Sequence, residues 1–254
     1  ERVPAEPEPH MHPGPSMVTD GDESTVTSYA ARPGARTGAT MWRVLADEPE
    51  LHIAPDGFMD LMWFQDRLVV AGPDTRTMHF RSRPGEVTCG LQFAPGVAHA
   101  LFGLPVHELT DQRIELSELV ALPSELVCSF ERDAPAALEQ VFIELWAKAD
   151  PDRSTLRLAA SLDRSARNGL SVRETAVTHH LSERTLRRIS NALFGYGPKT
   201  LMQIHRFQRA LHLARAGMSL TDVAATAGYV DQAHFTHEAR RLAGRTPSEL
   251  APTA

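Results

Sequence analysis

The C-terminal third of the chain contains a repeat with a period of 49 residues. Between positions 171 and 250, similar residues coincide without a gap when the sequence is shifted by that interval. The coinciding residues are small, apolar or turn-forming: Ala176 with Ala225, Leu181 with Val230, Ser182 with Asp231, Leu186 with Phe235, Gly195 with Gly244, and Pro198 with Pro247. A repeat of this length indicates that each copy forms one supersecondary unit. This part of the chain is therefore expected to fold into two similar units.

Each copy has the signals of two short helices. In the first copy, Ser171 and Glu174 have the spacing of a capping box, and Ser182 can cap a second helix. In the second copy, Ser219 and Asp231 stand before the two helical segments. Short polar side chains at these positions can accept hydrogen bonds from the free N–H groups of the first helical turn. Both copies are therefore predicted to be helix pairs.

A tight turn must join the two helices of each pair. In the second copy, Gly228 is suited to the left-handed backbone conformation of that turn, and the matching residue in the first copy is His179. Two short helices joined in this way are typical of proteins that read the major groove of DNA. We predict helix-turn-helix motifs at about residues 171–194 and 219–243.

The residues of the repeat, as well as their spacing, match a known pattern. The two parts read SERTLRRISNALFGYGPKTLMQIHRFQRALHLAR and GMSLTDVAATAGYVDQAHFTHEARRLAGRTPSEL. The characteristic positions are Ala224, Ala225, Gly228, Tyr229, Gln232, Phe235, Arg240, Gly244, Thr246 and Pro247. Over roughly its last third, the chain resembles the DNA-binding domain of the AraC/XylS family of transcription regulators. The resemblance implies two helix-turn-helix motifs, joined by a linker helix, that bind double-stranded DNA.

Residues 198–215 continue a helical pattern between the two motifs. One face of this segment is apolar and carries Leu201, Ile204, Phe207, Leu211 and Ala214. A helix of this length spans roughly 27 Å, which is near the roughly 34 Å of one DNA turn. We expect this linker helix to hold the two motifs in successive major grooves on one face of the duplex.

The second helix of each motif carries the candidate DNA contacts. In the first motif the inward positions leave four residues outside: Arg184, Thr185, Arg187 and Arg188. Arginine binds guanine through two parallel hydrogen bonds, or binds phosphate, and the resemblance places the three arginines at the base-facing surface. The matching residues of the second motif are Gln232, Ala233, His234 and His237, with Arg240 and Arg241 suited to phosphates. A single arginine can equally be a solvated surface residue, but the set of three favours DNA contact.

Two departures from the family pattern affect the predicted strength of binding. The family usually has arginine where His237 stands, and a large aromatic residue where Ala239 and Ser190 stand. Smaller core residues should loosen each recognition helix. Histidine is only partly charged near neutral pH, so the second motif is expected to bind more weakly or in a pH-dependent way.

The charge distribution supports a DNA-binding C-terminal third. The whole chain has a net charge of −6, but residues 171–250 contain 11 Lys and Arg against 6 Asp and Glu. The remainder contains 15 basic and 26 acidic residues. This asymmetry places phosphate affinity in the C-terminal third and argues against nucleic-acid binding by the rest.

The N-terminal region has the signals of a small antiparallel sheet. The apolar run 59–64, the run 67–71 that follows it and the alternating run 86–93 are short strand-like segments, bounded by Gly- and Pro-rich breaks. A hairpin with a two-residue turn is expected at Gln65-Asp66. The predicted fold class is α+β, with a barrel-like antiparallel β-sheet domain with trailing helices at 41–150 and an all-α domain at 151–254. Residues 1–40, rich in Pro, Gly and Ser, are expected to be a disordered leader.

Helices are predicted between the sheet and the motifs. Residues 134–149 form an amphipathic pattern, and a second pattern carries Leu158 and Leu162. We expect both to pack on the N-terminal domain, and a dimer surface is the alternative. The strings IAPDGFMDLMWF, VAGPDTRT and FAPGVAHALFG resemble the sensor-type domain that precedes the DNA-binding domain in actinobacterial AraC-type regulators. Members often have cysteine where Phe58 stands, so no reactive thiol is predicted there.

Three residues are candidates for a ligand cavity in the sheet. Asp60, Trp63 and His79 are polar or amphipathic side chains among apolar strand residues. A core aspartate, a packed tryptophan and a surface histidine are the better explanation of the same three residues. His52, His79, His99 and His107 lack the short spacing of metal ligands, and neither a metal, a cofactor nor a catalytic residue is predicted.

The favoured function is a sequence-specific transcription regulator, located in the cytoplasm and without enzymatic activity. Its predicted partner is double-stranded DNA, and a small-molecule effector, a second copy of the chain and RNA polymerase are further candidates. One alternative is a DNA-binding protein whose N-terminal domain serves only dimerisation or interaction. Another, an alkyl-transferring DNA-repair enzyme, needs a cluster of thiolates, which Cys89 and Cys128 cannot supply. No apolar run reaches the length of a membrane span.

Overall fold

The N-terminal half of the chain folds into two layers of antiparallel strands. The computed structural model describes residues 28–46, 49–121, 130 and 132–251, together with the backbone of 16–18. The strands are β1 (Ser16–Val18), β2 (Ser28–Pro33), β3 (Thr40–Ala46), β4 (Glu50–Ala54), β5 (Asp60–Phe64), β6 (Arg67–Ala71), β7 (Met78–Arg81), β8 (Glu86–Gln92) and β9 (Arg113–Glu115). One layer is a six-stranded sheet in the order β2-β3-β8-β5-β6-β9, and the other is a three-stranded sheet in the order β1-β4-β7.

Helices accompany the sheet and form the C-terminal half. They are α1 (Val97–Phe102), α2 (Leu116–Leu119), α3 (Ala134–Lys148), α4 (Arg153–Arg167), α5 (Val172–Thr178), α6 (Glu183–Phe194), α7 (Pro198–Arg215), α8 (Leu220–Ala227), α9 (Gln232–Ala243) and α10 (Pro247–Leu250), with a 3-10 turn at Val106–Leu109. The predicted α+β class is therefore confirmed, with the antiparallel sheet first and the helical region after it.

The six-stranded sheet is covered on both faces. On one face Leu61 packs in a cluster with Leu138 of α3. On the other face Met62 packs in a cluster with Leu51 of the three-stranded sheet. Because successive strand residues point to opposite faces, burial of both faces leaves β8 buried from Thr88 through Gln92 although its sequence alternates.

The hairpin expected at Gln65-Asp66 is confirmed. β5 pairs with β6 in antiparallel register, with Phe64 opposite Arg67. The two turn residues have φ angles of 49° and 59°, so both are left-handed, as a type I′ hairpin turn requires. The turn thus forms without the favoured Asn-Gly sequence, because aspartate also tolerates this conformation.

The leader expected at residues 1–40 is corrected in part. β1 and β2 both lie within it, and β2 forms the edge of the six-stranded sheet by pairing with β3. Tyr29 of β2 packs against the cluster that contains Trp42. Composition does not reveal such a strand, since its stability comes from its neighbours more than from its own residues. Residues 1–15 and 19–27 lie outside the described part of the chain.

The expected linker helix is α7, and its apolar face is the centre of the C-terminal core. Phe207 and Ile204 are fully buried there, and Leu211 is 1% exposed. Leu186 of α6 and Phe235 of α9 belong to the same cluster. Both motifs therefore pack against a single helix.

The position of α4 differs from the expectation that it would cover the N-terminal sheet. Its residues Ala159 and Leu162 belong to the core cluster around α7, whereas α3 contributes Leu138 and Val141 to the sheet cluster. The apolar stripe of a helix shows that one face is buried but does not say against which neighbour. α4 thus contributes its buried residues to the core around α7, while Leu156 near its start packs against the sheet cluster as expected.

The sequence repeat is also a repeat in the structure. α6 spans residues 183–194 and α9 spans 232–243, so the two helices begin and end 49 positions apart. Each is capped as expected, since Ser182 accepts the N–H of Thr185 and Asp231 accepts the N–H of His234. Each ends at a left-handed glycine, Gly195 or Gly244.

The turn of the second motif agrees with the expectation, and that of the first does not. Gly228 is left-handed, with φ 82°. His179 is not, at φ −98°, and the left-handed residue is His180, at φ 54°. A left-handed conformation is costly for a residue with a Cβ atom, and in the first copy it falls one residue later. The ring of His179 lies against α4, where its Nε2 is 3.2 Å from the hydroxyl of Ser165.

Truncation of Phe207 is expected to destabilise the C-terminal half strongly. Phe207→Ala should lower the free energy of unfolding by about 3–5 kcal/mol, because the side chain is fully buried between the two motifs. Urea denaturation of the full chain measures the change. Lys199→Ala, an exposed substitution on the same helix, is the control. A loss below about 1 kcal/mol for Phe207→Ala would contradict the central role of this helix.

Candidate DNA-binding surface

The first recognition helix, α6, presents its arginines to solvent. Arg184, Arg187 and Arg188 are all exposed, and Leu186 between them is buried. Thr185 is half-buried, and its hydroxyl lies 2.9 Å from that of Ser182, the residue that caps the helix. The three arginines predicted from the sequence thus lie on one accessible surface, while the Thr185 hydroxyl already has a partner.

The second recognition helix, α9, presents smaller and less charged residues. Gln232, Ala233 and His237 are exposed. The side-chain oxygen of Gln232 accepts a hydrogen bond from the Thr221 hydroxyl of α8, at 3.1 Å. The predicted contact surface of the second motif is therefore accessible at these three positions but carries no arginine there.

His234 is turned away from this surface. Its ring is half-buried and meets Tyr229 edge-on, with the ring centroids 5.2 Å apart. Its Nδ1 accepts the backbone N–H of Val230 at 3.4 Å. His234 thus contacts the turn of the motif, and its predicted contact with DNA requires the ring to rotate.

Two arginines lie near the C-terminal end of α9. Arg240 and Arg241 are both exposed, and Arg241 donates a hydrogen bond of 3.4 Å to Gln203 of α7. Long cationic side chains at the margin of a recognition surface are suited to DNA phosphates. Their predicted role is compatible with this position.

A buried ion pair fixes the second motif to the linker helix. Glu238 of α9 is 3% exposed and accepts hydrogen bonds from Arg206 of α7, at 2.7 Å, and from the hydroxyl of Tyr229, at 2.9 Å. The Arg206 guanidinium also lies 4.4 Å from the centre of the Tyr229 ring. Burial, together with the charge of Glu238, raises the pKa of Tyr229, so its hydroxyl keeps its proton. Arg206 and Glu238 are residues of ordinary type for helix surfaces, so their sequence context does not indicate this group.

A second buried polar group fixes the linker helix to α4. The Nε2 atom of His205 lies 2.7 Å from Asp163, and Arg167 donates to the other oxygen of Asp163 at 2.6 Å. Burial lowers the pKa of His205, so the ring is neutral and donates to the aspartate. Burial opposes ionisation of Asp163, but the bond from His205 and the charge of Arg167 outweigh it and hold its pKa below the ordinary value.

The three candidate ligand residues do not share a cavity. Asp60 faces the interior between the two sheets, where its carboxylate accepts the indole N–H of Trp42 at 2.6 Å. Trp63 lies on the opposite face of the same strand and stacks on Phe130, with centroids 4.5 Å apart. His79 is exposed on the three-stranded sheet, edge-on to His52. Of the three, only Asp60 is placed in the interior between the sheets.

Other polar groups accompany Asp60 in this interior. Gln92 lies opposite Asp60 in the strand register, and Arg113 lies two strands away in the same row. The side-chain nitrogen of Gln92 and the hydroxyl of Tyr29 are buried without a hydrogen-bond partner among the described residues. Burial, with the charge of Asp56 second, raises the pKa of Asp60 to about 8. The interior thus combines a protonated carboxyl group with buried polar atoms that have no hydrogen-bond partner among the described residues.

The described residues contain neither a metal centre nor a membrane span. No group of three or more His, Cys, Asp or Glu among them could hold a metal ion, and none of their helices is both long and apolar enough to cross a membrane. Burial raises the pKa of the Cys89 thiol, which makes it a poor nucleophile. Cys128 lies outside the described residues.

Two linked helix-turn-helix motifs with exposed arginines define a DNA-binding protein. Residues 175–252 match the sequence model of a family described as a helix-turn-helix domain. The chain carries an AraC-type helix-turn-helix domain at its C-terminus, the DNA-binding domain of a family of transcription regulators. Residues 39–115 match a domain family of unknown function, DUF6597. Comparison with curated proteins finds no significant match.

Solved structures of ToxT from Vibrio cholerae show a distant likeness. ToxT of strain O395 matches with 10% identity and a TM-score of 0.48, over 89% of this chain and 99% of that one. ToxT bound to (E)-4-(8-methylnaphthalen-1-yl)but-3-enoic acid matches with 11% identity and a TM-score of 0.46, over 87% and 97%. ToxT of strain SCE256 with a bound unsaturated fatty acid matches with 11% identity and a TM-score of 0.43, over 90% and 96%. At such values the likeness carries no inference about this chain.

The protonated state of Asp60 predicts a pH-dependent stability. The unfolded chain ionises Asp60 near 3.8, whereas the folded chain keeps the proton up to about pH 8. The folded state therefore binds more protons between these values, and stability falls as pH rises through this range. Asp60→Asn keeps an acceptor for Trp42 but does not ionise. Its stability relative to the wild type should rise between pH 4.5 and 8 by more than about 1.4 kcal/mol, the equivalent of one pKa unit.

Urea denaturation at the two pH values measures this change. Asp150→Asn, which removes an exposed carboxylate, is the control and should give the same small difference at both. A pH-independent difference for Asp60→Asn would show that Asp60 is ionised in the folded chain.

Proposed function

We propose that this protein is a transcription regulator that binds one face of a DNA duplex through two successive major grooves. The observation that carries the proposal is the equivalence of α6 and α9, which are 49 residues apart and packed on the same helix, α7. Both helices leave their predicted contact surfaces largely open to solvent. A protein with two such helices can read two groove segments if their separation matches the DNA repeat.

The dimensions of α7 support this geometry. The helix has 18 residues, which corresponds to roughly 27 Å. One turn of DNA is roughly 34 Å, and the recognition helices lie beyond the two ends of α7 in sequence. The ion pair of Arg206 with Glu238 and the packing of Phe207 oppose rotation of the second motif about α7.

The two motifs are proposed to contribute unequally to sequence recognition. α6 presents three exposed arginines, each able to bind guanine at two atoms. α9 presents glutamine, alanine and histidine, with its arginines further along the helix. We therefore assign guanine-containing base contacts to the first half-element and a larger share of phosphate contacts to the second.

The N-terminal domain is proposed to sense a small polar molecule. The support is the interior between the two sheets, where Asp60 is protonated and where Tyr29 and Gln92 have buried polar atoms without partners in the described residues. Unsatisfied buried polar atoms are costly unless a ligand or water binds them. The division of the chain into a sensor domain at 41–150 and a DNA-binding domain at 151–254 is part of this proposal. The sensor domain also includes the strand β2, which precedes residue 41.

Selection of DNA from random double-stranded oligonucleotides tests the DNA-binding proposal. The full chain should enrich sites with two half-elements whose centres lie about 10 base pairs apart. The half-element read by α6 should contain guanine. Absence of any enrichment over competitor DNA at moderate salt would refute the proposal. Light scattering of the free and DNA-bound chain separately tests the alternative that the N-terminal domain only dimerises.

Removal of one arginine should weaken and broaden DNA recognition. Arg187→Ala is expected to cost about 1–3 kcal/mol of binding free energy on the selected site and to relax the base preference at one position. Fluorescence anisotropy with single-base variants of the site measures both effects. Arg153→Ala removes the same charge from an exposed position at the start of α4 and should leave base preference unchanged. An unaltered affinity and preference for Arg187→Ala would contradict the assigned role of α6.

A further inference from the structure

Two threonines of the N-terminal domain bind the C-terminal ends of the two recognition helices. The hydroxyl of Thr110 donates to the carbonyl of Gly195, which ends α6, at 2.8 Å. The hydroxyl of Thr77 donates to the carbonyl of Leu242, in the last turn of α9, at 3.0 Å. The last carbonyls of a helix have no partner within the helix. The two helix ends that correspond in the repeat are thus both bound by one domain.

The two threonines belong to a single hydrogen-bonded unit. Thr77 lies in the connection of β6 to β7, and Thr110 lies in the connection of α1 to β9. The Asp111 carboxylate joins the two connections by accepting the backbone N–H of Thr75 at 2.8 Å and the Thr75 hydroxyl at 2.7 Å, and Thr75 is linked to Thr77 through the backbone. The N–H of Asp111 in turn donates to the carbonyl of Pro73 at 3.1 Å. A continuous path of bonds therefore leads from the end of α9 through this unit to the end of α6.

Close packing leaves this unit little freedom to move. Gly72 lies so near the carbonyl of Leu109 that a Cβ atom at position 72 would overlap it. A Cβ atom on Gly195 would similarly overlap Pro73 and would lie 2.7 Å from the Thr110 hydroxyl. Small residues thus permit direct contact between the two connections and between them and the end of α6.

The same domain also contacts the linker helix between the motifs. Gln208 of α7 donates to the carbonyl of Pro55 at 2.5 Å. The ring of His205 lies against Gly57, where an added Cβ atom would be 2.9 Å away. Arg167 of α4 lies over the ring of Phe58, 5.0 Å from its centre. The N-terminal domain therefore contacts both recognition helices and the helix that joins them.

The connections within the DNA-binding domain contain glycines, whose own backbone is restricted by no side chain. Gly195 and Gly197 separate α6 from α7, and Gly217 separates α7 from α8. Gly195 and Gly217 are left-handed, with φ 85° and 86°. Glycine restricts the backbone less than any other residue. A contact that spans both motifs from outside therefore adds a further restraint on these connections, beside the packing on α7 and the ion pair of Arg206 with Glu238.

We propose that Thr77 and Thr110, in connections joined by the bonds of Thr75 to Asp111, are positioning residues that fix the separation of the two recognition helices. The N-terminal domain is then part of the DNA-reading unit and determines which spacing of half-elements the protein accepts. This inference rests on the proposed DNA-binding function. It concerns the spacing preference, and not the identity of the bases, because neither threonine lies on a recognition helix.

The test compares the wild-type full chain with a double variant that carries both Thr77→Val and Thr110→Val. Valine keeps the branched shape and removes the hydroxyl. The probes are the selected oligonucleotide and versions with one base pair added or removed between the half-elements. An ordinary hydrogen bond corresponds to about fivefold in an equilibrium constant. The ratio of the affinity for the best spacing to the affinity for an altered spacing should therefore be at least about fivefold smaller in the double variant than in the wild type. The base preference should be unchanged.

Two control variants separate positioning from stability. The double variant Thr77→Ser with Thr110→Ser retains both hydroxyls and should restore the wild-type spacing profile. Thr37→Val removes a hydroxyl that binds Glu139 at 2.8 Å within the N-terminal domain and should leave the profile unchanged. An identical spacing profile for the valine double variant overturns the inference alone. A wild-type chain that selects no DNA overturns the proposed function and the inference together.

Discussion

The packing of both helix-turn-helix motifs against one apolar helix face is the constraint on which the DNA-binding surface depends. Short helices such as α5 and α8 are not stable by themselves, and they persist because α7 supplies a shared core around Phe207. The same packing leaves the arginines of α6 on the outside. Folding and recognition thus use opposite faces of each recognition helix, so a substitution at an exposed arginine can change DNA binding without reaching the core.

Buried charged groups complement this apolar core by fixing orientation. Apolar contacts are non-directional, whereas the bonds of Glu238 to Arg206 and Tyr229 are satisfied in one relative position of α7 and α9. Removal of one partner would leave a buried charge, which is strongly destabilising. The His205 and Asp163 pair acts in the same way between α7 and α4. His205 and Arg206 are adjacent residues of α7, so the polar contacts fix this helix relative to α4 on one side and to α9 on the other. Its apolar face supplies the packing.

Features that depend on nearby residues could be predicted from the sequence, and features that depend on distant ones could not. The caps at Ser182 and Asp231 and the glycine ends of α6 and α9 follow from local chemistry, and the repeat made them visible twice. The buried position of Glu238 depends on Arg206, 32 positions away, and no local pattern marks the left-handed residue at His180 or the edge strand β2. The common surface of the three α6 arginines could be predicted because residues three or four apart lie on one side of a helix. The Thr77 and Thr110 contacts join residues 165 and 85 positions apart, and no local pattern records them.

The interior of the sheet domain and the unit that contacts the recognition helices are directly connected. Asp60 pairs with Ala71 in the strand register, and Ala71 is followed by the connection that carries Thr77. Arg113 pairs with Ala71 on its other side and binds Asp74 of that connection through two hydrogen bonds, at 2.7 and 2.9 Å. A ligand that displaced Asp60 or Arg113 would therefore act on the backbone of Ala71, which directly precedes the connection that carries Thr77. Because rigid packing transmits small shifts instead of absorbing them, the proposed ligand binding between the sheets would act on the proposed spacing of the recognition helices through β6 and β9.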